Sequence, residues 1–249
     1  MLQRSGPLKG VRIVEMAGLG PAPFAAMHLA DLGAEVVRIA RPGQKFPLPI
    51  DAKYNLFNRS RRSLTLDLTK ARDVDRLWQL IERAEVLIEG FRPGKMEKLG
   101  FGPEQVQARN PALVYGRLTG WGQEGPLAHA AGHDMNYAAI TGAVWGLGDA
   151  DRPPPAPMNL IADQGGGAMM LNVEILKNEN VLGLHISTHA EIQYRQLHCD
   201  RAIITDIHIY REIALNICSL SPMCHGHSQR RCTASSTSRI SDYFFDMHC

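Results

Sequence analysis

A strand–turn–helix–strand unit near the start of the chain constrains the fold most tightly. Val11-Arg12-Ile13-Val14-Glu15-Met16 is an apolar run of strand length. Gly18-Leu19-Gly20-Pro21-Ala22-Pro23 follows as a tight turn. Phe24, Met27, His28 and Leu32 then fall at helical spacing, and Gly33 marks a C-terminal stop. Glu35-Val36-Val37-Arg38-Ile39 is the next strand. This strand–helix–strand unit is the seed of a parallel sheet.

The pattern continues along the chain. Ser63 to Leu68 alternates as a strand, and Val74, Leu77, Trp78 and Ile81 share one face of a helix over residues 71–84. Glu85 to Glu89 is a strand, and Gly90-Phe91-Arg92-Pro93-Gly94 is the loop after it. Short helices at 95–99 and 103–109 precede a strand at 113–118 and a turn at Thr119-Gly120-Trp121-Gly122. The spacing predicts a helix from His133 to Val144, an extended linker at 153–157, and a helix opened by Gly165-Gly166-Gly167. This alternation predicts an α/β fold with a Rossmann-like open parallel sheet. After Leu171 the period fades, although residues 172–180 can still be helical, and the Arg-, Ser- and Thr-rich stretch 229–240 reads as poorly ordered.

Composition excludes several classes. A formal net charge of +2 over 249 residues gives no argument for nucleic acid. No apolar run is long enough to span a bilayer, and the first residues lack a secretory signal, which predicts an intracellular protein: cytoplasmic, mitochondrial or peroxisomal. All five cysteines and seven of the ten histidines lie late in the chain. They fit no common zinc spacing, so no metal site is expected. The 18–23 turn lacks the third glycine of a dinucleotide fingerprint, which favours a plain strand-to-helix turn over NAD binding.

Basic residues recur at strand ends: Arg38 and Arg41, then Arg59, Arg61 and Arg62, then Arg92 with Lys95 and Lys98. Ligands of open α/β sheets bind beyond the carboxyl ends of the strands. Arginines there suit a ligand with several phosphates; a solvated basic rim is the plain alternative for any one of them.

Two motifs carry the chemistry. Gly132-His133-Asp134-Met135-Asn136-Tyr137 and Asn159-Leu160-Ile161-Ala162-Asp163-Gln164-Gly165-Gly166-Gly167 place His133 and Asp163 thirty positions apart. Either residue alone reads equally well as a surface group or a helix cap. Together, an imidazole and a carboxylate facing one pocket can each take or give a proton near neutral pH. The glycines predict backbone N–H groups near a helix start, able to hold an enolate oxygen.

These motifs give a resemblance. With Val14-Glu15-Met16-Ala17-Gly18-Leu19-Gly20-Pro21, Asp31 to Arg38, Arg62 to Leu68 and Glu89 to Gly94, the stretch from Gly10 to about Met170 resembles the N-terminal half of the α-methylacyl-CoA racemases, in the family III (class III) CoA-transferase superfamily. The resemblance implies an interlocked homodimer acting on an acyl-CoA, with CoA as part of the substrate and no separate cofactor. It implies that His133 and Asp163 are the two bases, with Asp134 supporting His133. Arg41, Leu66, Thr69, Arg92 and Lys98 match CoA-contacting positions, and Tyr137 and Gly165 join the binding set. The family usually has lysine at the position of Thr69 and often arginine at that of Lys98. Two domains are expected: a CoA-binding catalytic part over 1–171, and a divergent tail over 172–249 in which the family's second domain has no counterpart. The alternatives are a CoA transferase with Asp163 as nucleophile, and a truncated, non-catalytic CoA-binding fragment.

Overall fold

A computed structural model describes residues 5–44, 52–149, 151–178, 181 and the backbone of 204–208. Strand β1 (Arg12–Met16) leads into helix α1 (Pro21–Asp31), whose prolines occupy its first turn, and strand β2 (Glu35–Ala40) follows. Two single 3-10 turns precede β3 (Arg62–Thr65). Then come α2 (Ala71–Ile81), β4 (Val86–Glu89), α3 (Lys95–Lys98), α4 (Pro103–Arg109) and β5 (Val114–Thr119). Helix α5 (Asp134–Ile140), a wide helical turn over Leu160–Ala168, α6 (Met169–Lys177) and β6 (Ile204–His208) complete the order.

The six strands pair in parallel in the order β3-β2-β1-β4-β5-β6. This is the predicted Rossmann-like sheet. Chain direction across the sheet reverses between β1 and β4, so a crevice opens beyond their carboxyl ends.

Strand alternation sends side chains to two cores. On one face Ile13, Val36, Ile88 and Val114 meet Ala22, Ala26 and Leu29 of α1 and Leu171 and Ile175 of α6. On the other, Val14, Ile39, Leu87 and Tyr115 meet Leu77, Trp78, Ile81, Met96 and Phe101. Burying each of the larger aliphatic side chains among these is worth about 1.5–3 kcal/mol, so both faces are anchored. Ile175 is fully buried, so α6 packs into this core beyond Leu171.

Three local expectations change. The helix expected through Val144 stops at Ile140, because Gly142 turns to a positive φ of 81° just beyond it. Helical turns begin at Leu160, before the glycine run rather than at it. A strand, β6, forms at 204–208 in a stretch where no element was expected. The late cysteines and residues 229–240 lie outside the described residues. Among the described residues no helix is long and apolar enough to cross a membrane.

Candidate active site

The crevice contains two adjoining cavities. The first, of about 280 Å³, is lined by Leu19 and Gly20 after β1, Phe91 and Arg92 after β4, Trp121 after β5, and by His133, Tyr137 and Asp163. The two motifs thus converge on one space. His133 caps α5 from an extended backbone, and its amide donates to Asn136 Oδ1 at 3.0 Å. His133 is exposed, whereas Asp163 is only 6% exposed.

Asp163 is held by an unusual piece of backbone. Gln164 donates its amide to the carbonyl of Asn159 at 3.3 Å, a five-residue span wider than an α-turn. A Cβ at Gly165 would stand 2.7 Å from the Leu160 carbonyl oxygen, so only glycine lets the wide turn close. The glycines therefore shape a turn instead of opening a helix, and the expected amide nest at a helix start is not built from them. Upstream of the glycines, the Ala162 and Asp163 amides donate to Asp134 Oδ2 at 2.8 and 2.7 Å. Asp134, 1% exposed, directs its carboxylate to this turn and fastens α5 to it.

That contact also tunes the acid. Burial pushes the Asp163 carboxyl up from 3.8 to about 6, the nearby Asp134 charge adds to the rise, and His133 and the Asp134 amide oppose it. A carboxyl near 6 is populated in both protonation states close to neutrality. Tyr137 is buried against it, and its phenol is raised further out of range by burial and by the Asp163 charge. The Tyr137 ring stacks edge-on against Trp121 at 4.9 Å and fills the space left by two glycines: a Cβ at Gly120 or Gly132 would lie 1.9 or 2.6 Å from its oxygen.

The second cavity, of about 540 Å³, is lined by Ala17, Arg41, Gln44, Leu66, Asp67, Thr69, Phe91, Lys95 and Leu99, among others. Its residues follow the carboxyl ends of β1, β2, β3 and β4. Gln44 shapes the rim, accepting from the Arg41 amide at 3.2 Å and donating to the Ala17 carbonyl at 3.5 Å. The Thr69 amide and hydroxyl both donate to Asp67 Oδ1, at 3.2 and 2.7 Å.

The predicted binding residues divide between these spaces. Arg41, Leu66 and Thr69 line the larger cavity; Arg92 and Tyr137 line the smaller one. Arg92 also donates to the His129 carbonyl at 3.3 Å. Lys98 is exposed on α3 and lines neither cavity, while Lys95, one turn earlier, lines the larger. Gly165 is exposed and lines neither.

The basic rim is smaller than the sequence suggests. Arg59 pairs with Asp31 at 2.6 Å. Arg61, its side chain 2% exposed, turns inward to the fully buried Glu15, which also stands opposite Arg38 in the β1–β2 register. A glutamate inside an apolar strand was the signal for this pair, because a buried charge requires a partner. Phe91 and Trp121, which read in the sequence only as loop and turn residues, line the cavities, and Gln44 joins the larger one. Among the described residues no His, Cys, Asp or Glu cluster has the form of a metal site.

Comparison with known proteins shows the family. The pattern of CoA-transferase family III matches residues 8–178. Human α-methylacyl-CoA racemase is 46% identical over 169 residues, covering 68% of this chain and 43% of that protein. Mouse succinyl-CoA:glutarate CoA-transferase is 33% identical over 170 residues, covering 65% of this chain and 39% of that protein. A CaiB/BaiF family protein from Brucella suis superposes with a TM-score of 0.72 at 25% identity, covering 91% of this chain and 60% of the other. The chain thus spans less than half the length of the curated relatives it matches.

Proposed function

Because this chain belongs to CoA-transferase family III, we propose that it racemises the α-carbon of a 2-methylacyl-CoA thioester by two-base proton transfer. One observation carries the reading. Asp163, with its carboxyl raised to about 6, shares a cavity with His133. In one direction the ionised Asp163 takes the α-proton. The C–H electron pair moves into the thioester as an enolate. Protonated His133 then delivers a proton to the opposite face of the same carbon. The reverse direction exchanges the roles of the two groups. Asp134 sets the position and charge environment of Asp163, and Tyr137 walls the acyl end.

The CoA end takes the larger cavity. Arg41 and Lys95 supply cationic donors for its phosphates there, while Leu66 and Thr69 form the floor and rim. Arg92 stands beside the smaller cavity. The acyl group is a 2-methyl-branched chain, the class on which the resemblance and the human relative agree.

Incubation of the purified chain with a 2-methylacyl-CoA in deuterium oxide tests this directly. The expected result is deuterium at the α-carbon together with loss of optical purity. Retention of the α-hydrogen would refute it. A trapped acyl adduct on Asp163 would instead place the chain with the transferases, in which that carboxylate attacks the thioester.

A further inference from the structure

The two cavities share a wall, and that wall is Phe91. What holds Phe91 is a buried charge network that the proton-transfer steps do not use. Glu89, the last residue of β4, is 2% exposed. Its Oε2 accepts the Phe91 amide at 2.6 Å, and its Oε1 faces Arg117 Nε at 3.4 Å. Glu89 and Arg117 stand opposite each other in the β4–β5 register. The same guanidinium extends two more arms: Nη2 reaches Glu97 Oε1 on α3 at 2.9 Å and Gln123 Oε1 at 2.5 Å.

Each arm ends on an element that lines a cavity. Helix α3 and its C-terminal cap bring Lys95 and Leu99 to the larger cavity, and the turn before Gln123 brings Trp121 to the smaller one. The Glu89 arm ends on the shared wall. A buried ion pair is a poor source of net stability but can fix the register of what it joins. Arginine's planar fork suits such a bridge: Nη2 donates to both Glu97 and Gln123 while Nε stands within ion-pair range of Glu89.

We infer that Arg117, held by Glu89, is a positioning residue that fixes the two cavities relative to each other, so that one ligand with an anionic nucleotide end and a thioester end spans both. The inference rests on the proposed function for the identity of the two ends. Its physical content is an effective-concentration effect. Joining two weakly held fragments raises affinity only when their sites stand at the distance that the linker allows.

The test uses the full chain and its Arg117→Lys variant, checked by thermal melting. Calorimetry measures three probes: adenosine 3′,5′-bisphosphate, S-isobutyryl-4′-phosphopantetheine, and isobutyryl-CoA, which joins them through its pyrophosphate. The expected result is that both fragments bind the variant as they bind the parent, while the joined thioester loses affinity by about tenfold or more. Gln123→Ala removes a single arm and serves if Arg117→Lys does not fold; the loss is then smaller and in the same direction. Parallel weakening of fragments and joined ligand would overturn the inference, because it would mark general damage. So would an unchanged joined affinity, or a parent chain that gains nothing from joining the fragments. A parent that shows the joining gain but exchanges no α-proton would sink the racemase reading and leave the positioning role standing.

Discussion

Replacing Asp163 by asparagine removes a group that the fold holds at a disadvantage, and the structure sets the size of the gain. The carboxyl sits at about 6 in the folded chain against 3.8 ordinarily. At about 1.4 kcal/mol for each pH unit, its ionised form is disfavoured by about 3 kcal/mol. Below 3.8 both folded and unfolded chains are protonated, and the group imposes no penalty. Between 3.8 and about 6 the unfolded chain has released a proton that the folded chain keeps, so the unfolding free energy falls as pH rises. Above about 6 the full penalty is present. Asp163→Asn does not titrate, so it should match the parent in acid and exceed it by about 3 kcal/mol at alkaline pH, with α-proton transfer impaired throughout. Urea unfolding at a series of pH values measures this. With a slope of about 2–3 kcal/mol/M, the midpoint should separate by about 1–1.5 M at alkaline pH and converge in acid. A separation that is constant with pH, or a variant less stable than the parent above neutrality, would show that the cavity does not raise this carboxyl.

Further outcomes follow from the same geometry. Gly120→Ala places a methyl group 1.9 Å from the Tyr137 oxygen; displacing that ring should cost about 1–3 kcal/mol in thermal or urea unfolding and slow catalysis, whereas wild-type stability would mean the ring is free to move. Arg61→Met leaves the fully buried Glu15 without its guanidinium, so unfolding should ease by about 3–5 kcal/mol, and the double replacement Glu15→Met with Arg61→Met should recover much of that loss. Arg41→Ala should raise KM for the CoA thioester by about one to two orders of magnitude, as expected for a lost charge-assisted bond, with kcat little changed and the difference shrinking at high salt.

The sheet was legible because short strand-length segments at β1, β2, β4 and β5, largely buried on both faces, are interleaved with helical segments. Ile13 and Val14 point to opposite cores, as their spacing requires. The pairing of His133 with Asp163 was legible as chemistry, since only two motifs bring such groups to turn-forming segments. The 160–168 turn was not. A glycine run ordinarily punctuates, and here it is used because the Leu160 carbonyl comes too close for any side chain. That is a tertiary fact with no local period. The destination of Asp134 was hidden for the same reason: its partners lie 28 and 29 residues away. The arginines show the limit most clearly. Strand position predicts that Arg38, Arg41, Arg61 and Arg92 gather near one sheet end, but only the partner decides which turn inward. Glu15 and Glu89, charges set in buried strands, carried that information in the sequence.

The central claim is that two bases act on opposite faces of one carbon, and the most direct measurement separates them. The R and S forms of a 2-methylacyl-CoA are offered one at a time to Asp163→Asn and to a His133→Gln variant in deuterium oxide. Both α-proton exchange and epimer composition are followed. The account predicts that neither variant interconverts the epimers. Each should exchange the α-proton of only one of them, and the epimer that survives should differ between the two variants. Interconversion by either variant, or exchange of the same epimer in both, would contradict it.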